Sequence, residues 1–246
     1  VAAGQIFVRK YRHLAPVLRL WRGGRTWSAF NLPSSYRLSS SLPAYVMLEP
    51  MSRPGFAIPR LSLRMGLLIC LGIVAAAAGV LYAMGRIPMC KCGTIKLWYG
   101  GRGDSEMSQH LTDWYSYSHV LHGIIFYWLL SIVAKGRLSV AARMVIAMGI
   151  EAGWEIFENT PFIINRYRAQ TVSRDYFGDS IVNSVGDMLS MLAGFLLASR
   201  LPAWVTVFML IATEVLLLAL IRDNLTLNVI MLIHPVEWIR QWQSGG

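Results

Sequence analysis

The sequence predicts an all-α protein, a polytopic transmembrane helix bundle of about five spans closed by a C-terminal interfacial or re-entrant helix. Three observations carry this. Of 246 residues, 55% are hydrophobic and the mean hydropathy is positive, which is more apolar than an ordinary soluble domain. Five apolar stretches each approach the ~20 residues that cross a bilayer as a helix. The runs are continuous rather than alternating, which speaks against a β-barrel.

Residues 1–50 stand apart. They are Arg- and Ser-rich, include SSYRLSSSLP and show no sustained period, so they bury too little apolar area to offset ordering and are expected to be disordered. They also lack the apolar run of a signal peptide. Residues 51–246 form the membrane domain. The chain opens with Val, whereas Met51 begins MSRPGFAIPRLSLR, a basic lead-in to a span. Met51 is therefore expected as the authentic start, the alternative being a basic tail at 1–50.

The spans follow in order. The first, 65–84, carries Ala75-Ala76-Ala77-Ala78-Gly79, a small-residue face suited to close helix packing. Stretches 118–134 and 139–157 are joined by the basic turn Lys135-Gly136-Arg137, and 181–199 and 203–221 by Arg200-Leu201-Pro202. The last segment, 225–243, is broken by His234-Pro235 and reads as an interfacial or re-entrant helix with Trp238 and Trp242 at headgroup level.

The net charge of +10 is unevenly spread: residues 1–64 hold ten Lys and Arg against the single acid Glu49. This pattern fits a cytoplasmic flank under the positive-inside rule, with the short basic turns on the same side. The lipid bilayer is the expected partner. Nucleic acid is not, because no recognition module accompanies the charge. The sequence does not specify an oligomeric state. Among three cysteines, Cys70 lies in an apolar run and reads as a packing residue. Cys90-Lys91-Cys92 is half a metal site at most, since such a site needs about four ligands. Free or transiently oxidised thiols, a redox role and a metal role all remain open for that pair.

Polar residues interrupt the spans at helical spacing. Glu151, Glu155 and Glu158 share one face of the third stretch, with Glu151 about 6 Å deeper than Glu155 by helical rise. Asp179, Asn183 and Asp187 form a second ladder at the start of the fourth. Asp113, His119 and His122 lie at the start of the second, and Asn159 and Arg166 follow the third. With the N-terminus inside, all these ends fall on the extracytoplasmic side. Ionisable groups at bilayer depth usually face a bundle interior, a water-filled cavity or a partner charge, so a shared cavity is expected, with Glu151 its deepest and protonated carboxylate. Ion pairing of the glutamates with Arg166, Arg168 or Arg174 is the competing expectation. Asp179 or Ser180 could cap a helix. His119, His122, Glu155 and Asp187 are the residues that would hold a divalent metal, whose presence the sequence leaves unknown. Glu214 stands alone in mid-span as a packed residue or a contact to another subunit.

The segments GRIPMCKCGTIKLWYG (85–100), SQHLTDWYSYSHVLHGIIFY (108–127), EAGWEIFENTPFIINRYRAQT (151–171), DYFGDSIVNSVGDM (175–188) and IRDNLTLNVIMLIHP (221–235) together resemble the UPF0314, or DUF2585, family of alphaproteobacterial membrane proteins. The resemblance spans about residues 51–243. It implies a multi-pass protein of the bacterial inner membrane and assigns no activity. More distantly, Glu151 and Glu155 followed by Asp179 and Asp187 on adjacent helices look like the plan of VanZ-like membrane proteins.

Three functions compete. The first is binding of a lipid-linked or envelope ligand in the polar cavity. The second is metal-assisted hydrolysis or group transfer on a lipid headgroup. The third is proton- or cation-coupled transport through Glu151 and Glu155, against which the absence of an evident inverted repeat weighs.

Overall fold

In the computed structural model, which describes residues 61–170 and 175–245, three of the longer helices begin where a serine side chain accepts from a free amide of the first turn. Ser62 accepts from the Met65 amide to open α1 (Leu63–Ala83), and Ser139 from Ala142 to open α3 (Val140–Glu158). Between them lies α2 (Ser116–Ala134), ended by Lys135 in the left-handed region and followed by Gly136 at φ 77°. A short helix, α4 (Pro161–Gln170), follows Asn159 and Thr160. Ser180 accepts from Asn183 to open α5 (Ile181–Arg200), so the cap is the serine and not Asp179. Pro202 precedes α6 (Ala203–Ile221), which Arg222 ends in the left-handed region.

The C-terminal segment forms two short helices, α7 (Leu225–Ile233) and α8 (Glu237–Gln243), bent at His234-Pro235. Trp238 is exposed. Glu214, in mid-α6, has an intramolecular task. It accepts from the Leu225 amide at 3.0 Å, the Thr226 amide at 3.1 Å and the Thr226 hydroxyl at 2.5 Å, and thereby caps α7 from a neighbouring helix. The expectation of an isolated residue is corrected accordingly.

The described residues are helical, with no strand among them. Helices α1, α2, α5 and α6 are long and apolar enough to cross a membrane. Helix α3 is as long as α2 but carries Arg143 and three glutamates, and it packs against α1, α2 and α5. The expected five spans thus comprise four apolar helices and one with a polar face. The described residues fall within one unit, Phe56–Gly246. The expectations for residues 1–50 and for Met51 lie outside them.

One core runs through α1, α3 and α5, built from Cys70, Val74, Met144, Met148, Met188, Met191 and Phe195. The closest helix approach lies elsewhere. Gly123 of α2 faces the Met191 carbonyl and the Phe195 amide of α5, while Gly194 of α5 faces the Val120 carbonyl of α2. Without side chains at these points the two backbones touch. The small-residue stretch of α1 is not such a face: Ala75, Ala76 and Gly79 are exposed and only Ala77 is fully buried.

The segment 85–115 contains no long helix and is pinned to the start of α5. Ile181 and Val182 donate to the carbonyls of Ile87 and Pro88, and Ser180 donates to that of Ser108. Asn183 Nδ2 donates to the His110 carbonyl at 2.9 Å and Gln109 Nε2 to that of Gly178 at 2.9 Å. Gly178, at φ 93°, leaves room for the Arg86 guanidinium, which donates to the Phe177 carbonyl at 2.7 Å.

A methyl group at Gly123 would press on backbone that cannot move without parting α2 from α5. Gly123→Ala should cost about 1–3 kcal/mol of stability, the usual range for overpacking. Gly79→Ala, where an added Cβ meets nothing within 4 Å, should be neutral. Unfolding of the two variants in detergent, compared with the parent chain, checks the difference.

Candidate functional site

At one end of the bundle α2, α3 and α5 present their polar faces to one another, and α4 and α7 complete the wall. The cavity between them holds about 280 Å³, within reach of the smaller ligand pockets. His119, His122, Glu151, Glu158, Asp179 and Asp187 line it, together with Tyr115, Tyr167, Tyr176, Asp223 and Asn228. Phe126, Ile150, Trp154, Val229 and Leu232 form an apolar strip beside them. Among the described residues no Lys or Arg lines it.

His119 is the hub. Its Nδ1 lies 2.5 Å from Glu151 Oε1 and 3.5 Å from Glu155 Oε1, and its Nε2 lies 3.8 Å from Asp187 Oδ2. His122 Nδ1 approaches both Glu151 oxygens, at 3.3 and 3.2 Å. Glu151 is fully buried and partnered by two imidazoles, so the carboxylate left without a hydrogen-bond partner is a different one. It is Glu155: neither of its oxygens has one among the described residues, and it is 1% exposed. Asp187 accepts from Ser116 Oγ at 2.6 Å.

The metal-ligand expectation is redistributed by this geometry. Donor atoms of His119, His122 and Glu151 lie within 4.8 Å of one another, and so do those of His119, Glu155 and Glu158. Glu155 and Asp187 sit at opposite nitrogens of the His119 ring, so one cation could not take that whole predicted quartet through a single imidazole.

Other sequence-selected residues support the wall. Asp113 accepts from the amides of Ser108 at 3.0 Å and Tyr115 at 2.8 Å, which anchors the loop at the start of α2. Asn159 accepts from the Asp179 amide and donates to Asp179 Oδ2, both at 2.8 Å, and Tyr176 donates to Asp179 Oδ1 at 2.9 Å. Burial raises the Asp179 carboxyl above its usual range, opposed by these side-chain bonds. Asn183 holds the loop through His110.

The arginine expectation is corrected. Arg166 donates to the carbonyls of Leu232 and Ile233 at the end of α7, and Arg168 to that of Tyr176. Both satisfy orphan or loop carbonyls and neither makes an ion pair with the glutamates. Arg174 lies outside the described residues.

Sequence reasoning missed Tyr167, Tyr176 and the contribution of α7. Asp223, just after α6, accepts from Tyr115 at 2.9 Å and from Gln243 at 3.0 Å. Asn228, a lone amide within an apolar run, was the signal that α7 faces a polar space.

Burial pushes the Asp223 carboxyl up to about 6, although bonds from Tyr115, Asn224 and Gln243 favour its ionised form. The usual value is near ~4, so the folded chain holds this proton more tightly than the unfolded one. Its contribution to stability is therefore full below ~4 and falls as pH rises to ~6. Melting temperatures from pH 4 to 7 should show that fall in the parent chain and a smaller one in Asp223→Asn.

Comparison with known proteins bears on the same residues. The model of the family described as "Protein of unknown function (DUF2585)" matches residues 81–245. A UPF0314 protein of Brucella anthropi is 57% identical over 181 residues, 74% of this chain and 91% of the relative. One of Rhizobium meliloti is 52% identical over 179 residues, 73% and 90%. One of Sphingopyxis alaskensis is 50% identical over 183 residues, 74% and 97%. No solved structure matches the chain. With the family model matching well over half of its length, including every residue that lines the cavity, the chain belongs to the UPF0314 (DUF2585) family.

Proposed function

We propose that this chain is a multi-pass protein of the bacterial inner membrane, with its N-terminus in the cytoplasm, that binds the head of a lipid-linked or envelope ligand at its extracytoplasmic end. The observation that carries this reading is the cavity's composition: an acidic, tyrosine-rich wall beside an apolar strip, with no Lys or Arg among the described lining residues. A space of about 280 Å³ suits a headgroup rather than a whole lipid, leaving the acyl or polyprenyl part along Phe126, Ile150 and Trp154. The acidic wall favours a head rich in amine or hydroxyl donors and disfavours a bare phosphate, which would meet carboxylates in a poorly screened space. The basic N-terminal flank supports the orientation.

Purification in mild detergent followed by mass spectrometry of extracted lipids tests the reading. One ligand class should co-purify near stoichiometry, and Asp187→Asn or Glu158→Gln should reduce it by about tenfold or more, the scale of losing a charge-assisted bond. Equal recovery of bulk lipids from parent and variants would contradict it.

Glu155 supports a second reading. A fully buried carboxylate without a hydrogen bond is costly, and a divalent cation between it, His119 and Glu158 would satisfy it. Such a cation could activate water for hydrolysis of a lipid headgroup. The expected outcome is stoichiometric metal in the purified chain, lost in both His119→Ala and Glu155→Gln. Metal content unchanged in these variants would exclude that site.

A further inference from the structure

The Cys-x-Cys pair supplies only half a metal site by itself, and the fold brings up the other half. Asp104 Oδ1 accepts from the amides of Glu106 at 3.0 Å and Met107 at 3.2 Å and so shapes the turn that carries Glu106. Four residues on, the His110 ring is fully buried, its backbone carbonyl held by Asn183. His110 Nε2 lies 3.0 Å from Glu106 Oε2. One donor atom from each of Cys90, Cys92, Glu106 and His110 lies within 4.8 Å of the others. Two sulfurs, one imidazole nitrogen and one carboxylate oxygen form the donor set of a tetrahedral zinc-class cation, whose bonds run about 2.0–2.3 Å, so a small contraction would close the site.

In the structure Cys90 and Cys92 form a disulfide, and the cation beside Glu106 is the protein's own: Lys96 Nζ lies 2.6 Å away. We propose that Cys90, Cys92, Glu106 and His110 form a second site, separate from the cavity, that binds one zinc-class divalent cation when the disulfide is reduced, and that the disulfide form is its closed state. Opening is a two-electron step. A dithiol reductant transfers two electrons and two protons, the Cys90–Cys92 bond breaks to two thiols, and the reductant becomes a disulfide. The cation then replaces the two thiol protons, which leave to water. Lys96, whose side chain is 44% exposed, swings out as the cation takes its place. Ligation through His110 Nε2 moves the ring proton to Nδ1 and gives up the 3.3 Å bond from the Lys96 amide. The backbone amide of Cys92 already points at Cys90 Sγ, at 3.1 Å, the bond a thiolate there would accept. Because the segment just before Cys90 accepts from the first residues of α5 through the carbonyls of Ile87 and Pro88, the site sits on the segment that positions Asp179, Asn183 and Asp187.

The test uses the full chain in detergent with cobalt(II) as the probe. After reduction by a phosphine, one equivalent of cobalt should give the sulfur-to-metal charge-transfer absorption that only thiolate ligation produces, and the disulfide form should give none. Cys92→Ser should abolish the band and His119→Ala should leave it intact, which separates this site from the cavity. Glu106→Gln and His110→Ala should weaken cobalt binding by at least about tenfold. Should His110→Ala fail to fold, Glu106→Gln decides, because that side chain is partly exposed. No charge-transfer band in the reduced chain, or unchanged affinity in Glu106→Gln, would overturn the proposal.

Discussion

The contact between His119 and Glu151 is the interaction on which the rest of the site depends. An isolated carboxylate in an apolar bundle is expensive, and Glu151 is fully buried on α3. Its two imidazole partners both come from α2, so the pairing fixes the rotation of α2 relative to α3. That rotation turns the remaining acids of α3, Glu155 and Glu158, toward one space. The close backbone approach at Gly123 and Gly194 then fixes α2 against α5. Electrostatics and sterics thus set the same three helices in one register.

The wall beyond those helices is built by satisfying backbone groups. Arg166 caps the carbonyl end of α7 and Glu214 caps its amide end, so α7 is held across the cavity by charges from two other helices. Asn159 and Tyr176 occupy both oxygens of Asp179, and Asp113 anchors the loop before α2. The acids therefore divide by task. Asp113 and Asp179 hold the frame, whereas Glu155 is left with unspent bonding capacity. A group of that kind is where ligand or metal chemistry is expected.

Much of this was legible in the sequence because it depends on local periodicity. Continuous apolar runs gave the long helices, Ser180 was one of two candidate caps for α5, and the i, i+4 spacing of Glu151 and Glu155 gave a polar face. What stayed hidden depends on meetings between distant residues. Whether Arg166 pairs with a carboxylate or caps a helix end cannot be read from its neighbours. Gly123 and Gly194 are single glycines among large apolar residues, with no spacing to mark them. The break at His234-Pro235 made the C-terminal segment look peripheral, although α7 lines the cavity. Glu106 and His110 lie in a loop with no period, so nothing linked them to Cys90 and Cys92.

The central claim is that these residues enclose a space made for a polar head held in an acidic wall. A structure of the chain purified in native-lipid nanodiscs tests it most directly. The account predicts a bound group in the cavity, within hydrogen-bond reach of Glu158 or Asp187, with an apolar part running along Phe126 and Trp154. A cavity filled by Arg166 or Arg168 paired with the glutamates, leaving no room for a ligand, would contradict it.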